Sequence, residues 1–171
     1  MDNEEVPSTV AVVEPWPEPV ERVAAVLRER GVHARLEEFP DGTQSARDAA
    51  RVVGCELDEI VKSLVFVCDG RPLLALLPGD KRADAAKIAA AAGAGYARVA
   101  KADEVLTATG FEPGAVAPFP ALGVSMVLLD RALLRHELVW AGAGSHRHLI
   151  GLSPVELARV TSALPGDLAE A

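Results

Sequence analysis

Two apolar runs limit what this chain can fold into. Residues 62–68 (KSLVFVC) and 72–77 (PLLALL) each have the length of a strand, and Asp69-Gly70-Arg71 between them is a hairpin signal. Side chains alternate across a strand, so Lys62, Leu64, Phe66 and Cys68 share one face and Ser63, Val65 and Val67 the other. Either face is largely apolar, which makes Lys62 the anomaly. A buried ammonium is costly unless it is paired or has a task. Two readings stay open at this point. The lysine stem lies on the core while its charge reaches water, or the ammonium is a hook for an anion or carbonyl at the mouth of a pocket.

Around this hairpin the chain alternates between helical and extended patterns. Val20, Val23, Ala24 and Leu27 fall at helical spacing from Pro19 and stop at Gly31, and Val32, Ala34 and Leu36 then alternate as in a half-buried strand. Ser45 can cap a helix through Val53, closed by Gly54. An alanine-rich helix is predicted over 83–92, a short strand over 96–99 and a helix over 102–109. The stretch 111–123, FEPGAVAPFPALG, is too rich in proline and glycine to be anything but a loop. Val124–Leu129, Leu138–Ala141 and His148–Leu152 read as further strands. Ser153-Pro154-Val155-Glu156 reads as a capping box opening a helix to about Leu164. Strands, helices and hairpins interleaved in this way predict a mixed sheet in an α/β or α+β domain. Residues 1–18, rich in proline and glutamate, read as a loose arm, and 19–171 as the folded unit.

Composition removes several functional classes. No apolar stretch approaches the roughly 20 residues of a membrane-spanning helix, and nothing resembles a signal peptide. Cys55 and Cys68 are too few for a disulfide framework or a four-ligand zinc site, which predicts a reducing cytoplasm. The net charge of −8 hides a split, because residues 60–101 carry 7 basic and only 3 acidic side chains. That zone can meet phosphate, although a solvated helix face is the plainer reading.

Catalytic signatures are scarce. Gly142-Ala143-Gly144-Ser145-His146-Arg147 fails both the dinucleotide fingerprint and the P-loop, and Ser145 lacks the Gly-x-Ser-x-Gly elbow. His146 and His148 can face one side of a strand, but no Cys, Asp or Glu nearby completes a metal set. Cys68 lies in a hydrophobic strand, where a thiol behaves as a small core residue. The sequence thus shows no triad, metal cluster or acid–base pair. It does show a glycine loop, Gly114-Ala115-Val116-Ala117-Pro118, whose small residues let backbone N–H groups approach a substrate oxygen.

Four segments in register resemble the YbaK/EbsC family of aminoacyl-tRNA deacylases, a domain that also occurs as the editing insertion of bacterial prolyl-tRNA synthetase. They are Ile60-Val61-Lys62-Ser63-Leu64, the loop Thr109–Pro118, Val139–Gly144 and Leu152–Leu157, within a match over residues 19–165. The resemblance implies a single domain on a curved, barrel-like mixed sheet ringed by helices. It implies hydrolysis of the ester of a mischarged tRNA, often tRNA for proline carrying cysteine or alanine. Lys62 and Gly114 match the family's functional lysine and loop glycine, and groups of the substrate itself take part in the chemistry. Ser63, Ala115, Val116, Ala117, Pro118, Gly142 and Gly144 would line the substrate. No cofactor or metal is implied. The implied partners are the 3′ aminoacyl-adenosine end of a mischarged tRNA and a synthetase. The chain departs from many relatives at Ala117, at Pro120 and at Leu149, which stands where the cysteine-specific deacylases carry aspartate. Those departures motivate an alternative, a non-catalytic module of the same fold that holds tRNA ends or nucleotides.

Overall fold

A computed structural model describes residues 16–171, so most of the expected N-terminal arm lies outside the described residues; Glu18 already begins a helix. The central hairpin pairs β2 (Ile60–Cys68) with β3 (Arg71–Pro78) in antiparallel register from Val61–Pro78 to Cys68–Arg71. Around it runs a mixed sheet of eight strands. These include β1 (Ala34–Glu38), β4 (Ala97–Val99), β5 (Val127–Asp130), β6 (Val139–Gly142), β7 (His148–Leu152) and β8 (Leu164–Gly166), in the order β1-β7-β6-β2-β3-β5-β8 with β4 beside β2.

The two apolar faces of the hairpin explain the layering. Val61, Val65, Leu74 and Leu76 pack with Val23 of α1 (Glu18–Glu29), with Leu157 and Val160 of α5 (Pro154–Thr161), and with Phe111 and Phe119 of the glycine-rich loop. Phe66, Leu73, Ala75 and Leu77 meet Ile88 and Ala89 of α3 (Ala85–Ala92) on the opposite side. Each fully buried leucine here stabilises the fold by about 1.5–3 kcal/mol. A third cluster joins Ala49 and Ala50 of α2 (Ala46–Val53) to Ile60, Trp140 and Leu149. Among the described residues no helix is long and apolar enough to cross a membrane.

The helix ends follow local chemistry. Ser45 caps α2 by accepting from Asp48 N–H, Asp84 caps α3, and α4 (Ala102–Thr109) ends at Gly110 in the left-handed region. Three expectations need correction, and one element was not expected. The capping box at Ser153 is half made: Ser153 accepts Glu156 N–H, but the Glu156 carboxylate turns to Arg159 at 2.6 Å. That helix stops at Thr161 because Ser162 adopts a positive φ of 52°, and the chain then adds β8, paired parallel with β5. The run expected as a strand from Val124 begins only at Val127, since Ser125 N–H and Oγ both turn to the Pro72 carbonyl. Residues 131–135, Arg131–Arg135, form an unanticipated 3₁₀ turn capped by Asp130.

Candidate active site

One edge of β2 is shared between two short neighbours. β6 pairs with its start (Ile60–Trp140, Val61–Ala141) and β4 with its end (Phe66–Val99 to Cys68–Ala97). Lys62, Ser63 and Leu64 fall in the gap between them, and all three border a cavity of about 230 Å³. Val65 C=O faces that edge, where it accepts Ala100 N–H at 3.0 Å. The period of two then turns the Ser63 main-chain groups toward the same gap.

The far walls come from three loops remote in sequence. Thr43, Gln44 and Ser45 lead into α2, Gly114 and Val116 belong to the glycine-rich loop, and Gly142, Ser145 and Leu149 flank the β6–β7 turn. These walls are stitched together by backbone. Thr43 N–H donates to the His146 carbonyl at 2.7 Å, and Phe39 N–H to the Arg147 carbonyl at 2.6 Å. A Cβ on Gly142 would stand 3.0 Å from the Val116 carbonyl oxygen, so a larger residue would push the β6 edge and the loop apart by a few tenths of an ångström. Gly114 has a φ of +83°, and a Cβ there would meet the His146 ring at 3.1 Å.

Lys62 donates from its ammonium to the Lys81 carbonyl. Burial pushes its pKa below the ordinary lysine value; Asp80 opposes that and nearby Arg82 adds to it. An ammonium has three donors, and the Lys81 carbonyl takes one of them. Ser63 Oγ is buried without a hydrogen-bond partner. The cavity lining thus combines apolar residues (Ala49, Ile60, Val116, Leu149) with Lys62 and several hydroxyl-bearing residues (Thr43, Ser45, Ser63, Ser145).

Of the residues singled out in the sequence, Lys62, Ser63, Gly114, Val116 and Gly142 border this cavity. Ala115, Ala117, Pro118 and Gly144 do not. Ala115 and Ala117 are buried, and the Ala115 N–H is taken by the Glu112 carbonyl at 3.0 Å, so that amide is not a free donor. Pro118 lies on a separate depression with Phe119 and Val160. Gly144 packs against the Pro19 carbonyl and Phe111. The sequence reading missed the α2 entrance and the contact between Ser145 Oγ and His148 Nδ1, 2.5 Å apart. His146 and His148 separate: His146 is exposed against Gly114, while His148 is buried.

The remaining candidates recede. Burial raises both thiols, with Glu59 and Glu56 adding to the effect at Cys55 and Asp69 at Cys68, so neither favours the thiolate. Among the described residues no group of three or more Cys, His, Asp or Glu could hold a metal ion. The basic zone is partly neutralised. Arg98 forms a two-point pair with Glu104 at 2.7 and 2.9 Å, and Lys87 meets Asp167 at 3.0 Å.

Fold and cavity together define a mixed α+β domain with a lysine-bearing pocket at a split strand edge. The model of the aminoacyl-tRNA editing domain matches residues 41–160, and the chain belongs to that family. It is 36% identical over 121 residues to the protein YwhH of Bacillus subtilis (strain 168), covering 70% of this chain and 76% of that one. A proline–tRNA ligase of Nitratidesulfovibrio vulgaris (strain DP4) is 32% identical over 105 residues, which are 61% of this chain and 18% of the ligase. Among solved structures, a candidate trans-editing enzyme for prolyl tRNA synthetase superposes with a TM-score of 0.82 at 37% identity, covering 91% of this chain and 99% of that one.

Proposed function

We propose that the protein is a trans-editing deacylase that hydrolyses the ester of a mischarged tRNA, with tRNA for proline carrying a small amino acid such as cysteine or alanine as the leading substrate. The observation that carries this reading is the meeting of Lys62 and Gly114 at one cavity beside an unpaired strand edge. At about 230 Å³ the cavity is smaller than the roughly 300–1,000 Å³ pockets that enclose drug-sized ligands. It suits an aminoacyl group, with the nucleoside lying outside. In this reading the Lys62 ammonium and main-chain donors stabilise the charge that develops on the ester carbonyl oxygen. An aminoacyl ester is already activated, so positioning supplies much of the rate. Leu149, apolar and buried, favours a neutral side chain in the pocket over a charged one.

The test is single-turnover deacylation over a panel of mischarged tRNAs, with Lys62→Met as the probe because it keeps the apolar stem. The variant is expected to lose at least about 10²-fold in rate, the magnitude of one oxyanion donor, with its thermal midpoint preserved. Tight, salt-dependent tRNA binding with no release of amino acid from any member of the panel would instead favour the non-catalytic module.

A further inference from the structure

The wall formed by the β6–β7 turn holds a pair of groups that the deacylation above leaves unused. His148 opens β7 and is 4% exposed, and Trp16 stands edge-on to its ring with centroids 5.5 Å apart. Its Nδ1 lies 2.5 Å from Ser145 Oγ. That oxygen also accepts the Arg147 N–H at 3.0 Å. A hydroxyl has one proton to give, and with Arg147 donating to the oxygen, the imidazole nitrogen is the group placed to receive it. Ser145 itself borders the cavity that Lys62 and Gly114 share.

The surroundings of the ring favour the neutral base. Burial lowers the His148 pKa from the ordinary value of 6.5; Glu38, opposite in β1, acts to raise it and Arg147 to lower it further. The edge of Trp16 adds no charge.

We propose that Ser145 is a catalytic residue of this cavity, passing a proton from the hydrolytic water to His148 behind it. The inference rests on the deacylase reading. The water oxygen bonds to the ester carbonyl carbon as one of its protons moves to Ser145 Oγ and the serine's own proton moves to His148 Nδ1. The carbon–oxygen bond to the ribose then breaks, and the proton returns through Ser145 to the departing ribose oxygen. Ester and water become acid and alcohol, with no other reactant. His148 acts through Ser145 as a positioning residue and proton store.

The experiment uses the whole chain and the mischarged tRNA that the wild type hydrolyses fastest. Ser145→Ala is expected to lose about 10²-fold or more in kcat with little change in KM. It is also expected to lose the fall in kcat on the acid side of the pH profile, and Ser145→Thr, which keeps a hydroxyl, should restore most of the rate. Thermal melting identifies a variant that has lost its fold, in which case Ser145→Thr alone decides by whether it keeps the acid limb. A Ser145→Ala enzyme with wild-type kcat and an intact acid limb overturns the inference and leaves the deacylase standing. A wild type inactive on every charged tRNA removes the deacylase and the inference with it. One readout needs no activity: nitrogen NMR of His148 should show Nδ1 unprotonated at neutral pH, and a proton on Nδ1 there refutes the role.

Discussion

Replacing Gly114 with alanine separates two physical terms that the loop combines. At φ +83° the new side chain pays the left-handed penalty, about 1–2 kcal/mol. Its Cβ also stands 3.1 Å from His146 Cε1, a contact that the exposed ring relieves by giving a few tenths of an ångström. The sum should shift the urea midpoint down by about 1 M at a slope near 1.5 kcal/mol/M, with the slope unchanged. Gly114→Asn should cost less, because asparagine tolerates this region. His146→Ala in the Gly114→Ala background should recover only the contact term and leave the backbone term in place. Deacylation should fall further than stability, since the loop must shift at the cavity wall. Equal midpoints for wild type and Gly114→Ala would refute the conformational argument. Full rescue by His146→Ala would show that the ring, and not the backbone, sets the cost.

Gly144→Ala should be more damaging. Its Cβ would lie 2.8 Å from the Pro19 carbonyl oxygen at a φ of +98°, so main chain must move. A loss above about 2 kcal/mol in urea unfolding is expected, and a loss under half of that would contradict the packing described. His148 should also give the fold a pH dependence. Its folded pKa lies below 6.5, so as pH falls through 6.5 the unfolded chain takes a proton that the folded chain refuses, and stability drops until the folded value is reached. The difference between wild type and His148→Asn, measured from pH 7.5 to 5.5, should show this slope, at most about 1.4 kcal/mol per pH unit. Parallel curves would argue against a neutral buried ring.

Much of the fold was legible because local signals agreed with the tertiary outcome. The hairpin and the helix 102–109 follow from apolar period and turn residues, and both end where glycine allows a left-handed turn. The failures share a different cause. Whether Glu156 completes a cap depends on Arg159 one turn later, and β8 exists only because β5 offers an edge. Short elements of that kind are decided by neighbours far away in the chain. The site divides in the same way. Lys62 stands out as a charge on an apolar strand and Gly114 within a loop of small residues, the family resemblance gives both their expected roles, and both border one cavity. Thr43 through Ala46 reach the same cavity from a loop whose sequence shows only a helix cap. The Ser145–His148 contact was invisible because it matches no nucleophile motif and needs the tight turn into β7 to form.

The interrupted flank of β2 carries a consequence for how this pocket can change. Its floor belongs to the central pair β2–β3, whereas its sides are lent by three segments remote from it in sequence, one of which also sends Phe111 and Phe119 into the core. Substitutions at residues 43–46 can reshape what is admitted while the lysine stays anchored, so a new ligand preference does not require a new fold. Proteins of this shape should therefore diverge at positions 43–46 before they diverge along the hairpin.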